Sequence, residues 1–83
     1  MNSSSAVDNR VREVVAEVLD LDPKTVRDGM TREEVGAWDS MTHLRLVSAL
    51  EEAFGIRFTM KEVGELESFD AVRKKVAERV AAG

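Results

Sequence analysis

Eighty-three residues, 43% hydrophobic and 34% charged, suit one small domain and leave no room for a deep catalytic cleft. The absence of cysteine and the presence of a single histidine exclude disulfides, thiolate metal sites and the usual zinc constellations, which need three or four converging ligands. A formal net charge of −4 argues against nucleic acid as a partner, and no apolar run approaches the roughly 20 residues that span a bilayer.

Residues 1–4 form a polar tail without a burial pattern, expected to be disordered, and residues 5–83 read as a single domain. The opening Met1-Asn2-Ser3-Ser4-Ser5 lacks the basic start and apolar stretch of a secretion signal, so a cytoplasmic chain with no membrane partner is expected. A first helix is predicted from Ser5, where Ser5 and Asp8 make a variant capping box. Val7, Val11, Val14, Val15, Val18 and Leu19 recur at helical spacing, and Arg10, Arg12, Glu13 and Glu17 decorate the other face. Asp22-Pro23 is expected to stop this helix and open one short turn, letting Val26 drop into the core. From Asp28 to Asp39 no period persists and Gly29 and Gly36 mark turns, which predicts a long ordered loop held by Met30 and Val35. Loops of this length in a small domain usually serve function.

A second helix runs from about Ser40 to Phe54, with Gly55 placed to end it in the left-handed conformation. Ile56 and Phe58 alternate with Arg57 in an extended piece too short for a sheet. Thr59 and Glu62 form a capping box for a short third helix ending near Leu66, and Ser68 caps a fourth. In that last helix Phe69, Val72, Val76 and Val80 give one narrow buried stripe, while Arg73, Lys74, Lys75 and Arg79 complement its dipole and solvate it. The expected fold is all-α, a small bundle of three longer helices and one short one.

The stretch Trp38-Asp39-Ser40-Met41 stands where the loop gives way to the second helix. A helix start carries unsatisfied N–H groups and partial positive charge, so a phosphate esterified to Ser40 would sit where the backbone favours an anion. Asp39 is a preferred cap at such a start. At about 100° per residue, Leu46, Val47, Leu50 and Phe54 fall on one side of the helix, facing the core. Met41 and Leu44 fall on the other, with Arg45, Ser48, Glu51 and Glu52, at angles bordering Ser40. An apolar centre with charged edges suits a docking face. Trp38 is read as an anchor packed on the domain, ahead of a partner contact or a lid beside the arm, and His43, on the core side near the helix start, as a satisfied or partly exposed histidine rather than a functional one. The acidity is uneven: residues 1–40 hold nine acids and five bases, against seven of each in residues 41–83.

The run from Asp39 to Phe54, DSMTHLRLVSALEEAF, resembles the prosthetic-group segment of the acyl carrier protein family, in which the Ser of an Asp-Ser-Leu-like motif carries 4′-phosphopantetheine. Gly36, Asp39, Ser40, Leu46, Val47, Leu50, Glu51, Glu52 and Phe54 stand where that family has similar residues, and Phe58, Val63, Leu66 and Ser68-Phe69 continue the register. The resemblance implies a monomeric, non-catalytic four-helix carrier domain over residues 5–83, with 4′-phosphopantetheine from coenzyme A on Ser40. The implied partners are a phosphopantetheinyl transferase and acyl-loading, condensing or transferase enzymes, docking through Met41, Leu44, Arg45, Ser48, Glu51 and Glu52. A cysteine-free chain fits, because no protein thiol competes for a thioester on the arm. Thr42 and Arg45 occupy positions often acidic in fatty-acid carriers, and Trp38 precedes Asp39, so a polyketide or other dedicated pathway stands beside fatty-acid synthesis. Val47, Leu50, Leu66 and Val72 are the lining expected if cargo is sheltered between helices. The other readings are an aminoacyl or peptidyl carrier, an unmodified helical adaptor using Met41 and Leu44, and a serine hydrolase with Ser40 as nucleophile and His43 as base.

Overall fold

A computed structural model describes residues 3–82 of the chain. Four α-helices follow in order: α1 (Ser3–Leu19), α2 (Ser40–Phe54), α3 (Met60–Glu65) and α4 (Phe69–Ala82), with a 3₁₀ turn at Pro23–Thr25 between the first two. The three longer helices and the short one are those expected, and among the described residues the extended pairing is a single antiparallel bridge between Thr31 and Ser68.

The ends of these helices follow from a few side chains and two left-handed residues. Asp22 accepts from the Lys24 N–H at 2.9 Å and opens the Pro23 turn. Thr59 and Glu62 close a reciprocal box at the head of α3, at 3.1 and 2.8 Å, and Ser68 Oγ accepts from the Ala71 N–H at 3.1 Å at the head of α4. Gly55, at φ 64°, ends α2, and the Ile56 N–H reaches back to the Glu51 carbonyl at 3.1 Å.

The first helix departs from expectation at both ends. Its first described residue is Ser3, so Ser5 lies inside the helix and does not mark its start. Ser3 and Ser4 therefore belong to the helix and not to a tail; Met1 and Asn2 lie outside the described residues. The valine period is satisfied by either start, which is why it could not fix the boundary. At the other end α1 stops at Leu19, ahead of Asp22-Pro23, because Asp20 adopts φ 58° and the Leu21 N–H bonds the Ala16 carbonyl at 2.8 Å. Asp is one of the few residues with a side chain that visits this region.

α1 packs against α2 and α4, and the largest fully buried side chains are Phe69, Leu46, Leu50, Leu66, Val11, Val15, Val26, Val72 and Val76. Each such large side chain gains roughly 1.5–3 kcal/mol from leaving water. α1 and α4 run antiparallel: the Arg12 guanidinium lies 4.8 Å from the Phe69 ring centroid, and Asp8 pairs with Arg73 at 3.5 Å. Val80 is exposed, so the stripe expected through Val80 ends at Val76. Phe54, expected in the core, is half-buried at its edge.

Arg12 does more than decorate a solvated face. Its guanidinium donates to the Val26 carbonyl and, at 2.8 Å, to Asp28, pinning the chain after the 3₁₀ turn. The basic residues of α4 act as stabilising groups: Arg73 pairs with Asp70 at 2.7 Å, Lys75 with Glu78 at 3.2 Å, and both Lys75 and Arg79 meet Glu62 of α3. The Thr59 N–H foremost, and then Arg79 and Lys75, hold the Glu62 carboxyl below the usual glutamate range.

The loop before α2 is fastened near its start. Met30 is buried, its carbonyl accepts the Phe69 N–H at 2.8 Å, and the Arg32 N–H bonds the Glu67 carbonyl at 2.8 Å. Glu34 turns back to the Thr31 N–H at 2.9 Å, the Thr-x-x-Glu geometry of the α3 cap used here without a helix behind it. Because Asp20 sits in the left-handed region, Asp20→Val should lower stability by about 1–2 kcal/mol, while Asp20→Gly should hold or raise it; urea unfolding of the two variants checks this.

Candidate functional site

The head of α2 is built by Asp39. Its backbone is extended, its carboxylate accepts the Thr42 N–H at 2.9 Å, and its carbonyl takes the first helical bond from the His43 N–H at 2.8 Å. Ser40 is the first helical residue and is exposed. The Thr42 N–H, then the Thr42 hydroxyl, with lesser help from Arg45 and the Met41 N–H, hold the Asp39 carboxyl below the usual aspartate range. One of the helix-end donors is thus already committed to Asp39, and an anion on Ser40 shares the remaining positive end of the dipole with that carboxylate. Arg45 supplies the nearby compensating cation.

α2 has two faces, as its spacing implied. His43, Leu46, Val47 and Leu50 are buried, whereas Met41 is 70% and Leu44 58% exposed. Arg45, Ser48 and Glu52 are exposed on the same outer side. Ser48, Glu51, Glu52, Gly55, Ile56 and Arg57 line a shallow groove at the far end of the helix. Glu51 differs from its neighbours: it is half-buried, and its carboxylate accepts the Phe58 N–H at 2.9 Å, tying down the segment that leads to α3. Sequence spacing could not separate that role from surface charge. The residues suggested as cargo lining, Val47, Leu50, Leu66 and Val72, are all buried core residues.

Trp38 is the buried anchor that its sequence setting suggested, at 2% exposure, and His43 is the buried polar side chain among the described residues. The indole Nε1–H donates to His43 Nδ1 at 2.9 Å, and His43 Nε2 lies 2.8 Å from the Val63 carbonyl. Both ring nitrogens are therefore engaged within the protein, as expected of a satisfied histidine.

The Asp39 cap has a definite pH signature. A depressed carboxyl contributes stability that is complete above the ordinary aspartate value of 3.8 and is lost as pH falls through the lowered folded value. Asp39→Ala should therefore melt below the parent at pH 7, and the gap should close in strong acid as the parent protonates; thermal melts across pH test it.

The residues at the head of α2 fit a phosphodiester anchor, with an exposed hydroxyl at a capped helix start and a cation nearby. Residues 9–74 match the family model of the phosphopantetheine attachment site. The chain is 34% identical over 83 residues to an acyl carrier protein of Thermosynechococcus vestitus, an alignment spanning 99% of this chain and 100% of that one. A stretch of 71 residues is 32% identical to polyketide synthase ThaG of Burkholderia thailandensis and covers 86% of this chain but 1% of that much longer protein. The solution NMR structure of holo acyl carrier protein from Geobacter metallireducens shares the fold, with a TM-score of 0.81 at 22% identity over 92% of this chain and 87% of that chain. Sequence match and fold agree: the chain belongs to the acyl carrier protein family, whose domain is organised around a phosphopantetheine attachment site.

Proposed function

We propose that this protein is a non-catalytic acyl carrier in which Ser40 takes 4′-phosphopantetheine from coenzyme A through a phosphopantetheinyl transferase. The observation that carries this reading is the exposed Ser40 hydroxyl on the first residue of a helix whose inner face is buried and whose outer face bares Met41 and Leu44. When bound, the group supplies a terminal thiol on which acyl intermediates ride as thioesters. The chain's own residues do the rest. Ser40 anchors the phosphodiester, Asp39 fixes the turn that presents it, and tethering raises the effective concentration of cargo at each enzyme that docks.

Acyl-loading, condensing and transferase enzymes would read the outer side of α2, gripping Met41 and Leu44 and steered by Arg45, Ser48 and Glu52. Glu51 divides its charge between that face and the Phe58 N–H. The pathway is a fatty-acid, polyketide or other specialised acyl assembly. Likeness to both a free-standing carrier and a segment of a polyketide synthase supports that range, and Arg45 on the docking side favours a dedicated partner set. The carrier acts as a cytoplasmic monomer; no described helix is long and apolar enough to cross a membrane.

Incubation with coenzyme A and a phosphopantetheinyl transferase should add the mass of one phosphopantetheine to the parent chain and nothing to Ser40→Ala, read by intact mass spectrometry. A parent that gains nothing, or a Ser40→Ala chain that still gains the group, would remove this assignment. Glu52→Arg should raise the transferase KM about two- to fivefold, and the difference should shrink as salt rises. Steady-state transfer kinetics at two ionic strengths measure both effects.

A further inference from the structure

Trp38 and His43 occupy the position just before the N-cap of α2 and the fourth position inside it, where two apolar side chains commonly staple the incoming chain to the helix. Here the staple is closed by a hydrogen bond. The rings lie 6.1 Å apart, tilted by 31°, with the indole N–H directed at Nδ1 at 2.9 Å. An indole N–H can only donate, so Nδ1 is the unprotonated nitrogen. A carbonyl can only accept, so Nε2 carries the hydrogen and donates to Val63 at 2.8 Å. The two partners together fix one neutral tautomer of a ring that is 4% exposed.

The Val63 carbonyl matters because of where it sits. α3 has six residues, too few to be stable alone, and its last carbonyls lack intrahelical donors. The Leu66 N–H approaches this one only at 3.4 Å. At its front α3 is held by the Thr59–Glu62 box; at its back it is held by an imidazole that belongs to α2. One side chain therefore closes the entry to α2 and caps the exit of α3.

We propose that His43 is a positioning residue of the carrier: through Trp38 it sets the angle at which the loop enters α2, and with it the orientation of the Ser40 turn, and through Val63 it makes α3 part of the same rigid unit. The link to tethering rests on the assignment of Ser40 made above. A histidine that merely filled space would be replaceable by an apolar ring, and its tautomer would have no bearing on α3.

The test uses the full chain labelled with ¹⁵N at histidine. Long-range ¹H–¹⁵N spectra at neutral pH should show an unprotonated Nδ1 and a protonated Nε2. Trp38→Phe keeps an aromatic ring but removes the donor. It should weaken the ring's hold on the Val63 carbonyl, speed amide exchange in α3 roughly fivefold, the population change that one net hydrogen bond is worth, and lower kcat/KM for phosphopantetheinyl transfer by a similar factor. His43→Gln, which retains an acceptor and a donor, should restore more of both than His43→Phe. A ring protonated at Nδ1, or α3 exchange unchanged in Trp38→Phe, would overturn the bridge. Unchanged transfer kinetics alongside faster α3 exchange would overturn the positioning role. Should the parent accept no phosphopantetheine at all, the Ser40 assignment fails, and the spectra and exchange rates still decide the bridge.

Discussion

What α2 offers to solvent depends on what it buries. Leu46, Val47 and Leu50 share the interior with the valines of α1 and with Phe69, Val72 and Val76 of α4, and that burial leaves a rigid helix with an unencumbered outer side. A domain of this size has little net stability to spare. It can leave Met41 and Leu44 in water only because the opposite face, together with α1 and α4, supplies the apolar burial that holds the helix in place. Met41 and Leu44 are thus a load on the fold, borne on a helix whose surface is proposed to be read by other proteins.

With so small a core, helix ends carry an unusual share of the specification. Asp22, Asp39, Thr59 and Ser68 each take an N–H at a helix or turn head, and Asp20 and Gly55 turn the chain away at two helix tails. These local devices are joined across elements by polar side chains rather than by more hydrocarbon. Arg12 ties α1 to the Val26–Asp28 segment, Glu62 ties α3 to α4, and His43 ties the loop to both α2 and α3. The short helix α3 depends on such links most, since its own length cannot sustain it.

Much of this was legible in the residues because its signals are short-range. The Asp39 cap, the Gly55 terminus, the Thr59–Glu62 box and the inward set of α2 all follow from spacing within a few positions. The features that escaped depend on distant partners or on backbone choice. Nothing local marks Arg12 for Val26 or Glu51 for Phe58, and the left-handed turn at Asp20 competes with a more conspicuous proline nearby. The Thr31–Glu34 turn carried the same signature as the α3 cap, yet without a following helical period it gave no reason to expect it. Within the candidate site, the anchoring of Trp38 and the core-side placement of His43 could be read from sequence, but the hydrogen bond between them required knowing that the loop folds back onto the helix it precedes.

The antiparallel pairing of α1 and α4 has a consequence for how such a domain could be built into larger proteins. Phe69, at the head of α4, is fastened to Met30 in the loop that leads to α2, whereas the antiparallel pairing carries the start of α1 and the end of α4 toward the other pole. A flexible leash joined at either end, or at both, would leave from the side remote from that loop, so splicing this bundle between neighbours in one polypeptide need not obstruct the head of α4 or the loop fastened to it.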